Sequence, residues 1–320
     1  MRSVCAWGCG RVIPMTSSLS AISRARVWPQ HYLIERYAPV VTVVLALAAI
    51  WYIAAVLMNL SLVRDAFERE ETPYTIADLI EGTMSAERPL LPAPHQVIEV
   101  LLDSVFGYPP TAPRSLIYHS AVTLSATLAG FVLGALLGVA LALLIVHSAV
   151  LERSLMPWII CSQMVPILAL APIFIVVLGA LGLHGLLPKS IISAYLCFFP
   201  VAIGMVKGFT SPDPMQLDLM RTWSASPFQV LWKLRLPSAI PFLFASLKVA
   251  VTISLIGAIV AELPTGGEAG IGARLLAGSY YGQTIQIWAA LVAAAILASG
   301  LVGLVDLSHR LLSRHMGAQP

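Results

Sequence analysis

The chain alternates long apolar runs with short polar stretches, and the length of each run is what first assigns it. A bilayer core about 30 Å thick needs roughly 20 helical residues at 1.5 Å each. Six runs meet that requirement, at residues 39–60, 119–146, 157–181, 187–207, 241–263 and 284–305. The first, second, third and sixth hold no Asp, Glu, Lys or Arg, as the cost of a charge at the bilayer centre demands. The fourth carries Lys189 and Lys207 at its ends, and the fifth carries Lys248 in its first half and Glu262 at its far end. The lysines are expected to snorkel toward the interface. Glu262 is expected to be solvated at the membrane edge, as a structural group or a gate contact. The pattern predicts an all-α polytopic membrane protein with six transmembrane helices.

Composition agrees with that reading. Of 320 residues, 58% are hydrophobic and 11% charged, where a soluble domain carries about 25% charged residues. The net charge of +3 gives no sign of a nucleic-acid partner, so what matters is where the charges lie. Before the first run stand Arg2, Arg11, Arg24, Arg26 and Arg36 against Glu35. Between residues 61 and 113, Arg64, Arg69 and Arg88 face nine acidic residues. Basic flanks stay in the cytoplasm, so the N-terminus is expected inside, and six crossings return the C-terminus to the same side. The expected organisation is a cytoplasmic tail over 1–37, a first transmembrane helix over 38–60 and a periplasmic acidic loop over 61–113. A core of five transmembrane helices follows over 114–310, with a cytoplasmic loop at 208–240, and then a cytoplasmic tail at 311–320. The 61–88 stretch has no clear period and reads as a loop or short helices. The Arg-rich start fits a targeting segment or initiation at Met15, and no apolar stretch of signal-peptide length precedes Pro39.

Candidate chemistry is sparse. Cys5 and Cys9 lie in the tail and Cys161 and Cys197 in apolar runs, with no histidine at metal spacing, so neither a disulfide framework nor a metal site is expected. GxxxxGK[ST], HExxH and GxSxG do not occur, and Gly270–Gly272 lacks the remaining features of a dinucleotide loop. No catalytic residue and no cofactor of this chain's own are expected. The second run repeats Gly130, Gly134 and Gly138 after Ala126, a small-residue face on which another helix backbone can pack closely. In the third, Pro157, Pro166 and Pro172 surround Ser162 and Gln163, which predicts a bent helix with freed carbonyls at membrane depth. Ser162, Gln163, Pro166, Tyr195, Thr252, Ser254 and Glu262 are the candidates for lining a translocation pathway. The stretch 265–272, TGGEAGIG, reads as a glycine-rich outer turn or short re-entrant segment.

The loop over 211–241 is the most informative piece. Pro212 and Pro214 end the preceding structure, 216–223 suits a short helix, and Ser224, Ala225, Ser226 and Pro227 form a small-residue turn. Phe228, Leu231, Trp232 and Leu236 then recur at the spacing of one buried helical stripe, expected to stop at Pro237. Helix, turn and helix make a compact knob suited to a groove on another protein.

These residues resemble the inner loop of permease subunits of binding-protein-dependent ABC importers, patterned as EAA, three residues, G, nine residues, I, one residue, LP. Asp218, Leu219 and Met220 stand at Glu-Ala-Ala, Ser224 at the glycine, Leu234 at the isoleucine, and Leu236 and Pro237 at Leu-Pro. Arg221, Ala225 and Ser226 are similar to the usual residues around the turn. Residues 90–105 and 156–182 also resemble the nitrate, sulfonate, taurine and bicarbonate class, and the likeness extends from about 90 to 312. It implies the type I ABC importer permease fold in a bacterial inner membrane. It further implies an ABC ATPase carrying ATP and Mg²⁺, a second permease copy as a homodimer, and a periplasmic or extracellular substrate-binding protein. The contact with the ATPase would come from Asp218, Arg221, Ser224, Ala225, Ser226, Pro227, Leu236 and Pro237. The implied function is ATP-driven import of a small polar solute or anion: nitrate, a sulfonate, taurine, bicarbonate or a pyrimidine-type precursor. The alternative is a polytopic membrane enzyme acting on a lipid-linked substrate, which would need clustered ionisable groups near one face. A stand-alone secondary transporter would need intramembrane ionisable groups for ion coupling.

Overall fold

A computed structural model describes residues 30–71, 73–264 and 269–315, and every regular element among them is helical. The sequence readings of Cys5, Cys9, Met15 and the basic tail up to residue 29, and of 265–268 in the glycine-rich turn, lie outside the described residues. The chain forms two compact units that divide between Trp51 and Tyr52, inside helix α1 (Gln30–Arg69). In the first unit the valines and leucines of residues 40–47 are largely exposed, as a lipid-facing helix surface requires.

The second unit begins with the rest of α1, which continues past the predicted end at residue 60. Over 61–69 Val63 is buried while Arg64 and Glu68 pair at 2.8 Å on the exposed side, an amphipathic pattern that extends the helix. Helix α2 (Ile76–Ser85) then occupies part of the acidic stretch. Its start is fixed by a reciprocal cap in which the Asp78 N–H donates to Thr75 Oγ1 at 3.3 Å and the Thr75 N–H to Asp78 Oδ2 at 2.8 Å. After α3 (Pro94–Phe106) come α4 (Leu116–His147), α5 (Ala149–Ser162), α6 (Ile167–Ala180) and α7 (Leu186–Phe209). The loop region holds α8 (Pro214–Thr222), α9 (Pro227–Val230) and a π turn (Leu231–Arg235), followed by α10 (Leu236–Glu262), α11 (Ile271–Tyr280) and α12 (Thr284–His315).

Among the described residues, five stretches are long and apolar enough to cross a bilayer: Ala38–Arg69, Leu116–His147, Leu186–Phe209, Pro227–Glu262 and Thr284–Arg314. The pair α5 and α6 passes the same test together but is bent by 97°, which makes six spans when the pair counts as one. The break falls between Ser162 and Ile167, where Pro166 precedes α6 and cannot continue the hydrogen-bond ladder of α5. Helix α12 runs beyond the expected end at 305 and takes Asp306 into its body.

α7 is the centre of the packing, held against both α4 and α10, which also meet each other. Gly130, Gly134 and Gly138 of α4 lie directly against Ser193, Cys197 and the Phe198–Ala202 turn of α7. Cβ atoms at Gly134 and Gly138 would each stand 2.7 Å from an α7 carbonyl oxygen, so only glycine permits this approach. Hydroxyls fasten the trio: Ser193 Oγ donates to the Ser254 carbonyl at 2.7 Å, and Ser254 Oγ donates to the Thr127 carbonyl at 2.9 Å. The apolar core continues as Ala142, Cys197, Val201, Met205, Phe209, Ala239 and Ala250.

At the end of α10 a buried polar cluster replaces apolar packing. Thr123 Oγ1 donates to Glu262 at 2.8 Å and accepts from the Ile271 N–H at 2.8 Å, while the Gly272 N–H donates to Glu262 Oε2 at 2.8 Å. The Gly270 N–H donates to His119 Nδ1 at 3.0 Å, so the ring carries its proton on Nε2 and donates to the Pro113 carbonyl at 2.9 Å. Three successive N–H groups at the start of α11 are thereby satisfied by side chains, with a carboxylate at the positive end of the helix. Lys189 Nζ donates to the Ala269 carbonyl at 3.3 Å, and its charge acts on Glu262. Two expectations are corrected here. Glu262 is fully buried rather than solvated at the membrane edge, because it accepts from two hydrogen-bond donors on other segments. Lys189, at 3% exposure, is buried and does not snorkel, because a carbonyl and a carboxylate compensate its charge inside the protein.

Two stability measurements follow from this packing, both read as thermal unfolding of the full chain in detergent. Gly134→Leu should destabilise by about 1–3 kcal/mol or more through overpacking, whereas Gly303→Ala, at a site open to its surroundings, should not lower stability. Glu262→Ala should cost about 3 kcal/mol and speed amide exchange at Ile271 and Gly272, and Glu262→Gln, which keeps an acceptor, should cost less. Equal melting of all four variants and the wild type would show that neither contact holds the bundle.

Candidate functional site

The loop between α7 and α10 folds into a knob whose shape is set by three local devices. Asp213 caps α8, accepting from the Met215 N–H at 2.9 Å, with Pro214 in the first helical turn. α8 ends in a Schellman motif, in which the Ser224 N–H donates to the Arg221 carbonyl at 2.9 Å and the Ala225 N–H to the Met220 carbonyl at 3.0 Å. This motif puts Ser224 at φ +53°, the left-handed region that favours glycine, which is the physical reason for a glycine in the pattern matched at this position. Ser226 then opens α9 with a capping box: the Gln229 N–H donates to Ser226 Oγ at 3.3 Å, and the Ser226 N–H to Gln229 Oε1 at 3.0 Å.

The knob is joined to the core on one side and open on the other. Leu231 and Leu236 pack against the core shared by α4, α7 and α10. A cavity of about 290 Å³ lies between the end of α4, at Val146 and His147, and Leu217, Arg221, Ala225 and Arg235. Trp223 is 74% exposed and Phe228 67%, and Met215, Leu219 and Trp232 are exposed as well. Asp218 and Arg221 form an exposed pair at 2.8 Å beside them. Such a concentration of large apolar side chains next to charges, at the tip of a loop, is the composition of a protein-binding surface.

Two expectations about this loop are corrected. Phe228 and Trp232 do not share a buried stripe with Leu231 and Leu236; their rings pack on each other at 5.9 Å and remain exposed. The helix does not stop at Pro237, which lies in the first turn of α10. The π turn explains the continuity, since the Leu236 N–H bonds back to the Leu231 carbonyl and widens the turn where proline has no N–H to give.

The pathway candidates separate into two groups. At the break between α5 and α6, the Tyr195 hydroxyl donates to the Ser162 carbonyl, one of the carbonyls the break frees, and Gln163 Nε2 donates to Ser162 Oγ at 3.4 Å. Pro166 is exposed at the same break. Ser162, Gln163 and Tyr195 are thus brought together, half-buried, at the end of α5 and on α7. Thr252 is half-buried on α10 and donates to the carbonyl of Lys248 at 3.2 Å. Ser254 and Glu262 are fully buried in interhelical contacts, their polar atoms taken up by α4, α7 and α11.

Sequence reasoning missed one ionic contact. Lys248 of α10 pairs with Asp306 of α12, and one helical turn away Phe244 and His309 pack at 4.7 Å between the same helices. Lys248 therefore does not snorkel. The available signal was the apolar pattern running on through Leu304, Leu307 and Leu311, which carries the last helix past residue 305 and brings an aspartate inside it. Among the described residues no group of His, Cys, Asp and Glu side chains is placed to hold a metal ion.

Comparison with known proteins bears on the same residues. The chain matches the family described as "Binding-protein-dependent transport system inner membrane component" over residues 130–318, which include α7, the knob and α10. A probable ABC transporter permease protein of Haemophilus influenzae is 32% identical over 195 residues, covering 61% of this chain and 78% of the relative. The formylaminopyrimidine transport permease protein of Halalkalibacterium halodurans is 30% identical over 60% of this chain and 72% of its own length. The nitrate import permease protein of Leptolyngbya laminosa is 26% identical over 302 residues, covering 91% and 94% of the two chains. A multi-pass helical bundle, a knob built on that family's loop pattern and a match over more than half the chain have one meaning: the chain belongs to the binding-protein-dependent transport system inner membrane component family and is a permease subunit of an ATP-driven importer.

Proposed function

We propose that two copies of this chain form the translocation pathway, and that each docks one ATPase subunit through the 213–232 knob. The exposed Trp223 and Phe228 beside the Asp218–Arg221 pair carry this reading, because a loop tip with that composition requires a partner to cover it. ATP and Mg²⁺ bind the partner, and closure of the two ATPases moves the knobs. The knob end and both termini face the cytoplasm, in keeping with the basic flanks, and the α11 end faces the substrate-binding protein. The cargo is a small polar solute or anion of the class nitrate, sulfonate, taurine, bicarbonate or a pyrimidine-type precursor. Relatives named for formylaminopyrimidine and nitrate support that range. Ser162, Gln163 and Tyr195, neutral groups at the break between α5 and α6, are the side chains proposed to meet it. Differential contact of the ATPase with two arrangements of the bundle couples hydrolysis to alternating access.

Co-purification in detergent with the ATPase encoded beside the gene tests the knob. Trp223→Glu and Arg221→Glu alter exposed side chains and should reduce ATPase recovery about tenfold or more while the chain stays folded and inserted. Ser224→Gly should raise the stability of the chain by about 1 kcal/mol and retain the ATPase. Wild-type recovery with both charge variants would remove the knob as the docking site.

A further inference from the structure

Far from the knob, α3, the segment before α4, α11 and the start of α12 enclose a cleft of about 410 Å³. Arg114 and Arg274 reach into it, with Asp103, Tyr108, Gln283 and Gln286 around them. Arg274 is half-buried, and its Nη2 donates to the Arg114 carbonyl at 3.5 Å, leaving most of its five donors free for other acceptors. Among the described residues, no carboxylate pairs with either guanidinium, although Asp103 lines the same cleft. Burial pushes Arg274 below the ordinary guanidinium value, opposed by Tyr108 and reinforced by the like charge of Arg114. A smaller hollow adjoins across Gln283 and Gln286 and is lined by one charge of each sign, Arg88 and Glu87. The cleft therefore carries two arginines against one aspartate, with amide and phenol donors converging on the same space.

We propose that this cleft is an oxyanion site, in which Arg114 and Arg274 bind the nitrate, sulfate, sulfonate or carboxylate group of a small solute. Planar guanidiniums match such groups with paired N–H donors. A half-buried guanidinium at Arg274 beside the like charge of the exposed Arg114 is costly until an anion joins them, and this cost favours binding. Tyr108, Gln283 and Gln286 supply further donors around the anion, and Val100 gives an apolar wall for a small organic body. The phosphate of an anionic lipid has the same chemistry and is the second source of ligand. The site stands on the geometry of the cleft and is independent of the knob and its ATPase, so failure of either proposal leaves the other intact.

The test is calorimetric titration of the full chain in nanodiscs with sulfate, methanesulfonate and acetate, with ionic strength held constant by chloride and with neutral glycerol as control. Discs of phosphatidylcholine are compared with discs containing phosphatidylglycerol. The wild type should bind the anions saturably and ignore glycerol. Arg274→Gln should weaken binding about tenfold to a hundredfold, and Arg274→Lys, which keeps the charge without the fork, should fall between. If Arg274→Gln does not fold, Arg114→Gln, an exposed position, gives the same comparison. Binding in both kinds of disc assigns a free oxyanion, and suppression in phosphatidylglycerol discs assigns a lipid phosphate to the same arginines. Absence of saturable binding at millimolar anion, or binding unchanged in the arginine variants, overturns the site.

Discussion

The bundle depends on the close approach of α4 to α7. Lipid tails are as apolar as leucine, so helices in a bilayer gain little from burying greasy side chains, and association must come from packing and hydrogen bonds at short range. Gly130, Gly134 and Gly138 permit that range, and its consequences spread outward. With the two backbones in contact, the short hydroxyls of Ser193 and Ser254 can reach across, to the Ser254 and Thr127 carbonyls, and tie in α10, which longer separations would forbid. Thr123, one turn from Thr127 on α4, is thereby carried to Glu262, and Glu262 to the first turn of α11. The order of dependence runs from small residues to hydroxyls to a buried carboxylate, and each step requires the preceding one.

Much of this was legible along the chain, because the governing signals are local. The apolar run lengths located the spans, the four-residue glycine repeat marked the face of α4, and prolines marked the break between α5 and α6. The knob was legible for the same reason: a cap, a left-handed residue and a capping box are all encoded within a few neighbouring positions. Glu262 was misjudged because its meaning lies in Thr123, 139 residues away, and a carboxylate at the end of an apolar run looks the same whether its partner is water or protein. Lys189 and Lys248 were misjudged alike, since snorkelling is the default only where no carbonyl or carboxylate waits inside. The sixth span was cut short at residue 305, so Asp306 was never weighed as a partner for Lys248.

Phe228 and Trp232 show a different limit. Their spacing with Leu231 and Leu236 fits one helical stripe, and helical spacing reports which residues share a face without saying what covers it. In this chain the two leucines meet the core and the two aromatics do not. An amphipathic pattern whose apolar positions exceed what the fold covers is itself informative, because the surplus belongs to an interface. The oxyanion cleft was beyond sequence reasoning altogether. Its residues come from α3, the start of α4, α11 and α12, and nothing in their local patterns distinguishes Arg114 and Arg274 from ordinary flanking charges.

α10 connects the two ends of the molecule. Its 27 residues span about 40 Å at 1.5 Å per residue, enough to cross the membrane as one continuous helix. The π turn fuses it to the knob without a hinge, so a displacement of the knob acts on the helix directly. Along its length it is clasped to α7 by Ser254 and to α12 by the Lys248–Asp306 pair, and at its far end Glu262 holds the first turn of α11. A flexible linker at Pro237 would have dissipated a push from the ATPase within the loop. With a continuous helix, the push arrives at Glu262 as movement of the whole rod. The buried carboxylate must then either carry α11 with it or break the buried hydrogen bond it accepts from the Gly272 N–H, and the cost of leaving that donor unpaired inside the protein favours carrying it. On the proposed mechanism, this is how a force applied at the knob reaches the opposite end of the pathway.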